Sequence, residues 1–228
     1  AKTVFFFIFT VLILWKVLLP MFLLGWDPVI SSVLIVCAIT ATVTFLVAGV
    51  NRTGLAAFLG TISGALAACL LSIIFGNLFK IHGAVIPYSE TLLNVGFSNI
   101  NLTKIFLAGI FLASSGAMMD VAMDIAVAIK ELVEKNPLIT KKEAIKSGFE
   151  VGKAVVGAMT TTLLLAYSSS FTGLMMVFIA QGTPYINILN LTYISAEILH
   201  TLVGSIGVVL VAPFTAFLAG ILLTKNEH

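Results

Sequence analysis

The sequence predicts an all-α polytopic transmembrane bundle, a single domain of six spans plus one outer re-entrant or interfacial segment. Three observations lead there. Of the 228 residues, 60% are hydrophobic and 10% charged, with a mean hydropathy of +1.15. A soluble domain of this size carries about 25% charged residues, so lipid must be the solvent for most of this exterior. Apolar stretches long enough to cross a bilayer, about 20 residues each, recur along the chain. The basic residues separate onto one side of them.

The spans fall at 4–24, 28–50, 54–75, 102–130, 151–168 and 193–223. Pro20 stands inside the first and is expected to kink it. Phe171–Leu189 is a shorter apolar stretch broken by Gln181-Gly182-Thr183-Pro184. It reads as re-entrant or interfacial at the outer side, and a seventh span is its alternative. With six spans and both termini cytoplasmic, Lys2, Arg52, Lys130, Lys135, Lys141, Lys142, Lys146 and Lys225 lie inside, against Lys80 and Lys104 outside. Seven spans would break that asymmetry by moving Lys225 out. Asn136-Pro137 ends the fourth span, and Thr140-Lys141-Lys142-Glu143 is a capping-box pattern. It opens a short amphipathic helix, 140–148, expected on the cytoplasmic surface with its lysines toward anionic headgroups. Cys37 and Cys69 sit inside apolar runs and read as small core residues. The net charge of +2 is too small and scattered for a nucleic-acid surface.

A charge inside a membrane helix costs several kcal/mol unless paired or hydrated, so each one is a functional candidate. Asp120 and Asp124 stand one turn apart on the fourth span and share a face with Ala113, Gly116, Ala117 and Ala128. Phe111, Met118, Ile125 and Ile129 take the other face. Small residues with carboxylates are expected to turn toward other helices or water. The plain alternative is two solvated acids near a helix end, with Asp124 close enough to Lys130 to snorkel. On the fifth span, Glu150, Lys153, Gly157, Thr160 and Thr161 share a face. Lys153 and the hydroxyls could serve a cation or a proton path. Otherwise Glu150 and Lys153 pair at i,i+3 and the threonines bond back to their own helix. Lys16, in the middle of the first span, is a possible partner for Asp120. Glu197 and His200 form a Glu-x-x-His pair on the last span, in the outer half. Such pairs can bind metal, but a single copy reads better as a hydrogen-bonded pair near the outer mouth. No metal site and no cofactor is assigned. Gly60-x-x-x-Gly64 and Gly148-x-x-x-Gly152 offer flat faces for close helix contact, within one chain or between chains.

Enzymatic readings fail on these residues. An intramembrane aspartyl protease needs its aspartates on two helices, whereas Asp120 and Asp124 share one. His-Glu-x-x-His and a Walker phosphate loop are absent from the sequence.

The chain resembles the YibE/F family of bacterial multi-span membrane proteins. The likeness is carried by Leu18-Leu19-Pro20, Asn51-Arg52-Thr53-Gly54-Leu55-Ala56-Ala57 and the run from Gly116 through Asp120 and Asp124 to Ile125. Lys146-Ser147-Gly148-Phe149-Glu150-Val151-Gly152, Thr160–Thr162 and Ser195-Ala196-Glu197 continue it. It implies a multi-pass protein of the bacterial cell membrane, and a possible paired YibE-like subunit with an extracytoplasmic domain. A more distant similarity runs to the membrane core of the RND superfamily, which includes SecD and SecF. Gly116 to Asp120, Glu143-Ala144, Thr160–Thr162 and Gly204-Ser205-Ile206-Gly207 through Ala212-Pro213 carry it. That likeness implies aspartates that relay protons. The expected function is therefore a membrane transporter or motor subunit, coupled to protons or another cation through Asp120 and Asp124, with Lys16, Lys153, Thr160 and Thr161 along the path. Its rival is an assembly or export-accessory subunit without its own flux. The expected partners are the lipid bilayer, protons or other cations, and a second copy or a paired subunit.

Overall fold

The computed structural model describes residues 2–97 and 100–224; Lys225, one of the charges counted on the inner side, lies outside them. The first helix, α1, runs as Lys2–Ile13, a π-helical stretch Leu14–Leu18, and Leu19–Leu23. Five more long helices follow: α2 (Pro28–Ala48), α3 (Arg52–Leu78), α5 (Leu102–Lys135), α6 (Lys141–Ser170) and α9 (Thr192–Leu223). Short helices α4 (Ser89–Asn94), α7 (Thr172–Ala180) and α8 (Tyr185–Leu189) lie in the connections. Among the described residues, six helices are long and apolar enough to cross a membrane.

Their ends follow from local chemistry. Asp27 caps α2 by accepting from the Val29 and Ile30 N–H groups at 3.0 and 3.3 Å, with Pro28 in the first turn where its missing N–H costs nothing. Asn51 caps α3 through the Gly54 N–H at 2.9 Å. Asn101 caps α5 through the Lys104 N–H at 3.0 Å. The Thr140–Glu143 capping box is formed. Pro20 acts through a π turn: Leu19 donates to the Leu14 carbonyl five residues back. Widening the turn ahead of the proline accommodates its ring and its lost donor.

One expected element changes. The segment 140–148 is not a separate helix on the membrane surface but the first turns of α6, which continues to Ser170. No breaker interrupts it, and its apolar side has a protein surface to cover. Ala144 is buried, and a Cβ on Gly220 of α9 would come 2.3 Å from Ile145 Cγ1. Phe171–Leu189 divides at Gln181–Pro184 into α7 and α8. At about 1.5 Å rise per residue, neither reaches across a hydrocarbon core of about 30 Å.

The centre is α9, which packs against α3, α5 and α6, while α3 also packs on α5. Close approach is built from small residues. A Cβ on Gly60 would lie 2.1 Å from Thr215 Oγ1, and one on Gly64 2.0 Å from Val211 Cγ2. On Gly148 and Gly152 it would meet Ala216 and Ala212 at 3.0 and 2.9 Å. Both Gly-x-x-x-Gly stripes are thus consumed inside the chain. Two buried hydroxyls return to their own helix: Thr61 Oγ1 donates to Ala57 O at 2.9 Å, and Ser114 Oγ to Ile110 O at 3.0 Å. Helix α1 stands apart, with Leu18 buried and most of its apolar side chains exposed; it rests on α2.

At one end of the bundle the Lys104 ammonium pairs with Asp27 and ties α5 to the start of α2. The lysine holds the Asp27 carboxyl below its ordinary pKa. A depressed acid contributes stability above its unfolded pKa and loses it as pH falls through the folded value. Asn also caps well, so Asp27→Asn removes the ion pair alone. Thermal unfolding should show a loss of about 0.2–1 kcal/mol at neutral pH, the range of exposed pairs. The difference should begin to shrink only below about pH 4 and vanish as pH falls past the lower folded value. Equal stability at pH 7 would show that the pair contributes nothing.

Candidate functional site

Helix α5 runs unbroken from Leu102 to Lys135, about 51 Å at 1.5 Å per residue. Its bulky face enters the core: Phe111, Met118, Ile125 and Ile129 are all buried. The opposite face stays bare. Ala113, Gly116, Asp120, Asp124 and Val127 are exposed in one strip, and a Cβ on Gly116 would meet nothing within 4 Å. The aspartates therefore project together, as their spacing requires, but away from the chain's other helices. That reverses the expected orientation. The reason is volume: the large side chains fill the space between α3, α6 and α9, leaving the small face outside.

Lys16 does not reach Asp120. It is exposed on α1, which rests on α2, and it forms no ion pair among the described residues. Lys153 is held instead by Glu150, Nζ to Oε1 2.8 Å, the i,i+3 pair of neighbouring turns. Asp124 takes no lysine either: Lys130 lies 3.8 Å from Glu134. Thr161 and Thr162 donate back to the Gly157 and Ala158 carbonyls, each at 3.0 Å. Thr160 differs. Its Oγ1 is buried without a hydrogen-bond partner among the described residues. Helix α6 packs on α5 and passes Ile125 at Gly152, which brings its threonines alongside α5. Gly157 on the same helix is open, with nothing within 4 Å of an added Cβ.

The Glu-x-x-His pair is formed in a second place. Glu197 Oε2 lies 3.4 Å from His200 Nδ1, and both side chains are mostly buried. Tyr167 on α6, unmarked in the sequence, places its ring 4.9 Å from the imidazole. A tyrosine 33 residues from its histidine carries no spacing signal; antiparallel contact of α6 and α9 joins them. Among the described residues, no group of three or more His, Cys, Asp or Glu could hold a metal ion.

The family model of YibE/F-like proteins matches residues 1–225. The chain belongs to the YibE/F family. No curated protein and no solved structure matches it, and the comparisons show no similarity to the RND superfamily. In YibE/F terms, the run from Gly116 to Ile125 is the part of the match that forms the bare aspartate face. The Asn51–Ala57 segment forms the α2–α3 corner, where Arg52 Nη1 donates to the Leu222 carbonyl of α9 at 3.4 Å.

Proposed function

We propose that this YibE/F protein is a membrane transport or motor subunit coupled to protons or another cation through Asp120 and Asp124. One observation carries the reading: two carboxylates, one turn apart on a spanning helix, on a small-residue face that the chain's own helices leave uncovered. Facing lipid, each would cost several kcal/mol. A second helix surface against the strip removes that cost, and Gly116 and Ala113 allow it close. The functional unit is therefore an assembly, either two copies or this chain with a paired family subunit, with the carboxylates at its seam. A change in their protonation then alters which helix contacts across the seam are favoured. Both termini face the cytoplasm of a bacterial cell in this reading, and α7–α8 form the outer re-entrant element.

The same bare face favours the rival, an assembly subunit without flux, so seam and flux are tested separately. In a Cys37→Ala/Cys69→Ala background, Gly116→Cys should give disulfide-linked dimers on mild oxidation in native membranes. Leu70→Cys, exposed on α3, should not. Monomer alone from both would remove the self-paired seam. Flux is read in proteoliposomes carrying an internal pH dye, with an imposed proton gradient. Wild-type flux that Asp120→Asn lacks supports coupling, and equal flux in both leaves the assembly reading.

A further inference from the structure

The Glu197 cluster stands beside an opening that the aspartate face does not explain. A cavity of about 270 Å³ lies between α6, α7 and α9, with Leu164, Tyr167, Phe171, Met175, Glu197 and Leu202 in its wall. Its volume is just below the ~300–1,000 Å³ of pockets that hold drug-sized ligands. It therefore suits something smaller. The wall is apolar except for hydroxyls and one carboxylate.

The carboxyl group on that wall belongs to Glu197. The ion-pair partner of Glu197 among the described residues is His200. Its Nε2 is buried with no partner among the described residues, and Phe106 closes the imidazole edge-on at 6.0 Å. Among the described residues no lysine or arginine pairs with the Glu197 carboxyl group, which stands at the cavity wall. The facing titratable groups are Tyr167 from α6 and Tyr193 from α9 itself, and neither supplies a cation. The Tyr167 and Phe171 rings stand in the wall, and aromatic rings attract cations within about 6 Å of their faces.

We propose that this cavity binds a small organic monocation with apolar substituents, of the quaternary-ammonium class. Glu197 is its counter-charge, the rings of Tyr167 and Phe171 are its walls, and His200 positions the carboxylate. The site is independent of the aspartate seam. It deepens the picture of what the protein handles without requiring Asp120.

The probe is benzyltrimethylammonium, titrated calorimetrically into the full chain in nanodiscs. Its neutral counterpart is neopentylbenzene, which replaces nitrogen by carbon at the same shape. Saturable binding of the cation is expected, at least tenfold tighter than that of the neutral compound. Glu197→Gln should abolish the preference, and Phe171→Leu should reduce it several-fold. Asp120→Asn should leave it unchanged, so this result stands or falls apart from the seam. Equal affinity for both compounds, no saturable heat, or an unaltered preference in a folded Glu197→Gln protein would overturn the proposal. If Glu197→Gln does not fold, an unaltered preference in Phe171→Leu overturns it instead.

Discussion

Gly64→Val should destabilise the bundle by roughly 3 kcal/mol or more, the upper end of what overpacking costs in a filled core. The first added carbon would already stand 2.0 Å from Val211 Cγ2 and 3.4 Å from Val211 Cα. A methyl-sized collision with a side chain alone can be relieved by a rotamer change. Val211 Cβ, 3.2 Å away, does not move with the rotamer, so the larger side chain forces α3 and α9 apart. Their separation disturbs the centre, because α9 also holds α5 and α6. Val211→Ala in the same chain should recover much of the loss, giving a coupling that neighbouring residues show and distant ones do not. The contrast is Gly116→Val on the bare face, where an added Cβ meets nothing. It should leave the folded chain's melting temperature nearly unchanged and weaken only its assembly. Thermal melts of the purified variants read the first effect, and membrane crosslinking the second. A Gly64→Val protein as stable as wild type would mean that α3 and α9 do not meet at this register.

The same contacts show which parts of the architecture a sequence carries. The spans are legible because about 20 apolar residues have one common use. Gln181–Pro184 marks a break because it ends a helix by known local rules, and Thr140–Glu143 marks a start for the same reason. The continuity of α6 is not legible. Lys141, Lys142 and Lys146 look like a surface stripe, and only the contact of Ile145 with Gly220 shows that this turn covers α9. Periodicity placed Asp120 and Asp124 on one face but could not say what that face meets. Small residues commonly mark the side where helices touch, which is why the aspartates were expected inside. In α5 the large residues won that side, since Phe111 and Met118 fill space that Ala113 and Gly116 cannot. Lys16 failed as a partner for a topological reason: being near the middle of a span says nothing about which helix lies beside it. Glu150 and Lys153 were readable as a pair because one helical turn joins them. Tyr167 was not, since its neighbour His200 is brought close by tertiary contact alone.

Asp120→Asn should abolish gradient-driven flux while leaving the fold intact. Asn keeps the size and polarity of the side chain but cannot take up or release a proton. In many membrane helices the same change would strand a buried cation, at about 3–5 kcal/mol, and lost activity would then report lost structure. Here that explanation has no partner to act through. Lys16 is on the far helix α1, and Lys153 is engaged by Glu150 at 2.8 Å. The melting temperature of the variant should therefore match wild type or rise slightly, because removing a charge from the seam lowers the cost of closing it. Asp124→Asn should reduce flux less, since Asp124 lies one turn nearer Lys130 and the end of the span. The two measurements belong on the same purified protein: flux into dye-loaded vesicles, and a melting curve. Loss of both together, restored by changing Lys16 or Lys153, would make Asp120 a structural ion-pair residue and contradict the contacts described above. Normal flux in a well-folded Asp120→Asn protein would end the coupling role, leaving the bare face as a binding surface. Lost flux with an unchanged melt and intact Gly116→Cys crosslinking would locate the function in the charge of Asp120 itself.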